Sequence, residues 1–179
     1  RPPARATGSM GEVFKEGLAY VRHTWPVRTL ILTLAMVNLT ASAYAVLLPV
    51  FARDIFGGDA GTLGVIWGAA GCGAFLGTVF LAHQRGHAGL AGTVVVGCAI
   101  SAVSVAAFAL AGWMPLALVA MAGVGFGISV VNVAINMLLQ SMAPEALRGR
   151  VVSFFSSTRF GFDALGGLVA GLVAAPLGA

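Results

Sequence analysis

Between residues 86 and 144 the chain has no Asp, Glu, Lys or Arg, a run of 59 positions. Two shorter runs, 29–52 and 60–84, are equally free of charge. A soluble domain keeps about a quarter of its residues charged. Here 9% are charged and 59% are hydrophobic. That balance excludes an ordinary soluble enzyme, and it excludes a disordered chain, which is poor in apolar residues. A helix crosses the hydrocarbon core of a bilayer with about 20 apolar residues. The longest run therefore holds two such helices, with Gly112-Trp113-Met114-Pro115 as the turn between them. Glycine and proline punctuate helices, and Trp suits the headgroup layer. A last apolar run, 151–175, is interrupted by Arg159 and Asp163. The expectation is an all-α membrane protein with five transmembrane helices, near 29–51, 62–82, 90–111, 115–139 and 151–175. Barrel strands would alternate apolar and polar over about ten residues, whereas these runs are continuous.

A net charge of +4 and an isoelectric point near 9.8 would ordinarily raise the question of nucleic acid. The placement of the basic residues answers it. Arg1, Arg5, Lys15, Arg22 and Arg28 precede the first span. Arg85 lies between the second and third, and Arg148 and Arg150 between the fourth and fifth. All of these fall on one side if the spans alternate, and Arg53 falls on the other. An excess of Lys and Arg in short loops marks the cytoplasmic side. The basic balance is thus a topology signal, and no nucleic-acid partner is expected. The implied location is the plasma membrane, multi-pass, with the segment 1–28 cytoplasmic. That segment is too polar for a signal peptide. Ser9 and Glu12 fit a capping box. Phe14, Leu18, Val21 and Trp25 then recur at helical spacing, so the segment reads as an amphipathic surface helix or a plain linker. Arg1-Pro2-Pro3-Ala4 resembles the end of a flexible linker. The opening at Arg1 and the closing apolar run Ala174–Ala179 lead us to expect a fragment.

Polar groups inside lipid must face protein or water. In the fourth span Ser129, Asn132, Asn136 and Gln140 are spaced 3, 4 and 4 apart and share one helical face. That face either lines an aqueous cavity or makes interhelical hydrogen bonds, worth about 0.6 kcal/mol each. Gln140 belongs at the cytoplasmic interface. In the first span Asn38 and Ser42 share one face, and Thr40 and Tyr44 share a neighbouring one. The same two readings apply there. Asn38-Leu39-Thr40 is also a glycosylation sequon, but at mid-span no glycosylating enzyme can reach it. In the fifth span Arg159 and Asp163 are four apart, on one face and within pairing distance. Arg159 is nine residues past Arg150, about 13–14 Å into the span at 1.5 Å per residue. An Arg at mid-membrane costs about 2.5–3.5 kcal/mol. It should face the interior, as a substrate or proton-coupling site or as half of a structural pair. The substrate-pathway candidates are therefore Asn38, Ser42, Tyr44, Ser129, Asn132, Asn136, Arg159 and Asp163.

Close helix packing is expected from three Gly-x-x-x-Gly stretches, Gly64–Gly68, Gly73–Gly77 and Gly167–Gly171. The third span is the most uniformly apolar and is expected to face lipid. Gly123, Gly125 and Gly127 follow no strand and make no dinucleotide fingerprint. Cys72 and Cys98 give neither a disulfide framework nor metal spacing. No catalytic serine elbow or His-Glu-x-x-His occurs. His83 and His87 flank a glycine in a short turn and read as surface residues. No enzyme activity, cofactor or metal is expected.

Three stretches resemble the C-terminal half of major facilitator superfamily transporters. Glu16-Gly17-Leu18-Ala19-Tyr20-Val21-Arg22 is similar to the cytoplasmic helix that leads into the seventh span. Leu47-Leu48-Pro49-Val50-Phe51-Ala52-Arg53-Asp54 is similar to the outer end of that span. Asn136-Met137-Leu138-Leu139-Gln140, followed by Pro144 through Ser153, is similar to the tenth span and its loop into the eleventh. The branch it most resembles is the drug or siderophore exporters driven by a proton gradient. The resemblance implies that the five spans are helices seven to eleven of a twelve-helix bundle. Helices seven and ten would then line the cavity, and helix nine would be peripheral. It further implies alternating access, a small-molecule substrate, protons, the lipid bilayer, and the missing N-terminal half as partner. The stretch Gly77 through His87 is an echo, without its acidic residue, of the superfamily's loop between helices two and three. The family's eleventh helix is usually apolar where Arg159 and Asp163 stand, so their candidacy comes from the residues alone. The other class the sequence allows is a small stand-alone channel or scaffold subunit that oligomerises through Gly-rich helix faces.

Overall fold

The computed structural model describes residues 18–19, 21–84, 89–145 and 147–174. Most of the leader, His87 and the end of the chain lie outside that set. Five long helices make up the fold: α1 (Trp25–Val50), α2 (Ala60–His83), α3 (Leu90–Ala109), α4 (Met114–Met142) and α5 (Arg148–Ala174). Pro26 and Pro115 stand in the first turns of α1 and α4, where a missing N–H costs nothing. Near the other end of α1, Pro49 has no N–H to donate. Directly after it the ladder widens into a π-helical turn, Phe51–Ile55, closed by Phe56 N–H on Phe51 O at 3.2 Å. Gly57 then takes φ +58°, a left-handed conformation that favours glycine, and the chain turns into α2. The Asp59 carboxylate caps α2 by accepting the Thr62 N–H at 3.1 Å.

The helices α1 to α4 are long and apolar enough to cross a membrane. At 27 residues α5 is about 40 Å long, which suffices by length. Its hydropathy is lowered by Ser153, Ser156, Ser157, Arg159 and Asp163. Large apolar side chains such as Leu32, Phe75, Val103 and Leu172 are exposed on the outside of the bundle. In water these would be association liabilities, whereas in a bilayer they are the lipid-facing surface.

The centre of the bundle is α4. Half of its apolar stretch is buried, against 17% in α1 and α3 and 28% in α2. It packs extensively on both α2 and α3, while α5 lies along α1 and the contact of α1 with α4 is lighter. Glycine makes this arrangement possible. A methyl group added at Gly73 would land on the carbonyl oxygen of Ala122, and one at Gly125 on that of Ala70. On the opposite side of α4, a methyl at Gly127 would sit 2.7 Å from Gly97 O, and one at Gly123 would land on the Ser104 hydroxyl. Gly125 therefore faces α2, while Gly123 and Gly127, four residues apart, face α3. Of the Gly-x-x-x-Gly stretches, Gly73–Gly77 is a helix contact. Gly64, Gly68 and Gly171 have open space around them. On α5 the close approach is at Gly166, whose added methyl would sit 2.5 Å from Leu39 O. The expected lipid-facing third span holds for only part of α3: Val95, Val96 and Val103 are exposed, while Val94, Gly97 and Phe108 are buried.

Two apolar layers hold the bundle together. One gathers Leu34, Leu81, Val131, Ile135 and Phe155. The other gathers Leu48, Ile66, Phe108 and Met121. Between these layers α1 carries Asn38, Thr40, Ser42 and Tyr44, α2 carries Thr78 and α4 carries Ser129, while Asn132 and Asn136 stand among the first layer's residues on α4.

Two predictions follow from helix packing and capping. Gly125→Ala forces α4 off α2 and should destabilise by about 1–3 kcal/mol. Gly92→Ala, with open space around it, should leave stability unchanged or slightly raised; thermal unfolding in detergent measures both. Hydrogen bonds from the Thr62 and Gly61 backbone hold the Asp59 carboxyl below the usual range. A depressed folded pKa adds stability that is complete above the unfolded value, about 4. It is lost as pH falls through the lower folded value. Asp59→Ala should therefore melt earlier than wild type at pH 7, and the difference should shrink at pH 3.

Candidate functional site

The polar face of α4 diverges in space. Ser129 shares a 3.0 Å hydrogen bond with the Thr78 hydroxyl of α2. Asn132 turns towards α1, where Asn38 Nδ2 donates to its Oδ1 at 3.2 Å and to Leu34 O at 2.8 Å. Asn132 Nδ2 in turn donates to Ile128 O at 3.0 Å. Both amides are nearly closed off, at 5% and 6% exposure. Both Nδ2 hydrogens of Asn38 are thus used within the protein. Asn136 lies further along α4 and accepts a hydrogen bond from Gln140 Nε2.

In front of Asn132 opens a cavity of about 340 Å³. Four helices line it. Tyr44 comes from α1, and Trp67, Ala70 and Ala74 from α2. Gly125, Ser129 and Asn132 come from α4, and Arg159 from α5. Its volume falls within the range of small-molecule sites, about 300–1,000 Å³. The glycine-mediated approach of α2 to α4 sets its back wall. Its lining reaches from Ala70 of the second apolar layer to Val133, which packs on the first.

A larger cavity, about 680 Å³, runs between α1 and α3. Its walls are chiefly the outer face of α1, with Leu32, Met36 and Thr40, and the small residues Cys98, Ser101 and Ala102 of α3. Arg28 stands at one end, and Thr29, Thr33, Thr40, Tyr44 and Ser101 place hydroxyl groups along it. Tyr44 belongs to both cavities. The smaller cavity gathers side chains from four helices, among them a guanidinium and a carboxamide, whereas α1 and α3 supply nearly all of the larger one, so the smaller cavity is the candidate.

Of the sequence candidates, Tyr44, Ser129, Asn132 and Arg159 meet in this cavity. Asn38 stands behind Asn132 and fixes its amide. Ser42 packs against α5 beside Gly166 and Gly167. Asn136 is not part of the lining. Arg159 and Asp163 share a helix face but form no ion pair. The guanidinium lies 5.4 Å from the centroid of the Phe160 ring. The i,i+4 spacing allows a pair, but the structure does not form one. Trp67 and Thr78 also build the site, and no polar periodicity in α2 singles them out. His83 hydrogen-bonds Val79 O within its own helix. Among the described residues no group of His, Cys, Asp or Glu could hold a metal ion.

A multi-pass helical bundle that keeps a polar cavity at mid-depth, walled by four helices, has the build of a membrane transporter. Residues 4–179 match a family model described as a transmembrane secretion effector of the major facilitator type. The chain belongs to that family. It is 31% identical over 160 residues to the multidrug efflux pump Tap of Mycolicibacterium fortuitum. The matched region is 89% of this chain and 39% of that pump, so the chain spans well under half the length of this curated relative. No solved structure matches the chain.

The Asn38–Asn132 contact yields a test. A double-mutant cycle with Asn38→Leu and Asn132→Leu should give a coupling of about 0.6 kcal/mol, and at most about 1.7. Unfolding in detergent supplies the four stabilities.

Proposed function

We propose that the chain is part of the C-terminal half of a proton-coupled exporter that works by alternating access in the plasma membrane. Its cargo is a drug-like compound or siderophore, and its N-terminal segment is cytoplasmic. The observation that carries this reading is the cavity itself, where four helices each present a side chain to one space between two apolar layers. Binding at mid-depth is what rocking of two halves about a fixed site requires. The family supports a transporter rather than an enzyme, and the efflux pump it resembles supports export. The bias of Lys and Arg supports the orientation. The N-terminal half supplies the opposite wall, so this segment alone forms only part of a pathway. The glycines that a stand-alone oligomer would use are partly committed already, since Gly73, Gly77, Gly123, Gly125 and Gly127 pack inside the bundle.

Asp163 is the proposed proton-exchanging group. It is an intramembrane carboxylate, exposed on α5, with no ion-pair partner among the described residues. Asp163→Asn in the full-length protein should abolish drug efflux from a pump-deficient host while protein level and melting temperature stay normal. Unchanged efflux in that variant would remove Asp163 from the mechanism.

A further inference from the structure

The candidate cavity has a definite electrostatic character. Of its lining residues only Arg159 is charged, and no carboxylate is among them. Asp54, Asp59 and Glu145 are not among its lining residues, and Asp163, one helical turn from Arg159, forms no ion pair with it. The Arg159 guanidinium is exposed, donates no hydrogen bond within the described protein and forms no ion pair. Its contact is a cation–π approach to Phe160. The in-plane N–H donors of the guanidinium have no partner among the described residues. Those donors match a carboxylate in bidentate geometry. Around them, Trp67 at 44% exposure and Tyr44 offer ring surfaces, and Ser129 and Asn132 line the α4 wall.

We infer that the cavity binds amphipathic organic anions, with an acidic group on Arg159 and a flat apolar body against Trp67 and Tyr44. The inference rests on the transport reading of this cavity and names its cargo by charge. An unpaired cation at mid-membrane is costly, and an anionic cargo supplies the missing partner. A cationic drug would meet repulsion from Arg159 at the same place.

The test uses purified full-length protein in detergent and in liposomes, with three probes on one aromatic scaffold: a carboxylate, its methyl ester and a tertiary amine. Wild type should bind the carboxylate at least about tenfold more tightly than the ester, as expected for charge-assisted hydrogen bonds. Arg159→Gln should remove that preference and leave the ester unchanged, and Arg159→Lys should keep part of it. If Arg159→Gln does not fold, the wild-type ranking and the lysine variant still decide. Equal binding of carboxylate and ester, or tighter binding of the amine, overturns the anion assignment and leaves the transport reading standing. An equal loss for all three probes in Arg159→Gln overturns it too. Binding of none of the three overturns both.

Discussion

Everything in this bundle depends on how closely α4 approaches its neighbours. Lipid supplies no hydrophobic force between helices, so association relies on surface complementarity and on a few hydrogen bonds. Glycines at alternating positions let α4 accept a backbone on each side: Gly125 meets α2 at Ala70, and Gly123 and Gly127 meet α3 at Ser104 and Ser101. Gly73 and Gly77 answer from α2, against Ala122 and Phe126. The contact is backbone on backbone, so it leaves little freedom in helix register. That register decides that Ser129 meets Thr78 and that the wall of the cavity holds Trp67 and Ala70.

The tight side of α4 also explains its open side. Where α4 faces α1, side chains rather than glycines mediate, and the Asn38–Asn132 pair bridges the gap. A buried amide pair of this kind is satisfied in one orientation, so it orients as well as attracts. The same element thus provides a closely packed back, a hydrogen-bonded contact with α1 and one wall of a cavity. The cavity between α1 and α3 has no such organisation, which is why its larger volume carries less chemical meaning.

The helices were legible because the signal for crossing a bilayer is additive: a long run without charge has few other uses. Which polar residues meet was less legible. The 3-4-4 spacing of Ser129, Asn132, Asn136 and Gln140 places them on one face, but a face of four turns is longer than one cavity. Its ends find different partners, Thr78 at one and an intrahelical pair at the other. Trp67 and Thr78 were hidden because α2 contributes to the site by proximity rather than by a polar stripe. Glycine spacing was misleading in the same way. Gly64–Gly68 and Gly73–Gly77 have identical patterns, and only the second faces a neighbour, since a motif on one helix does not encode the position of the next.

The separation of Arg159 from Asp163 changes what the fifth helix can do. A self-neutralised pair would be electrically inert, whereas two unpaired charges one turn apart can each exchange a different partner. On the proposed assignment, Arg159 holds an anionic cargo and Asp163 takes up and releases a proton. A membrane potential that is negative inside is worth about 2.3 kcal/mol per charge per 100 mV. An anion leaving the cell and a proton entering it both move with that field. The inward proton movement and the outward cargo movement then add rather than oppose, so an exporter built this way draws on the potential in both strokes. A cationic cargo in the same cavity would have to move against the field and against Arg159 together. The identity of one side chain in the cavity thereby links substrate charge to the energetics of the whole cycle.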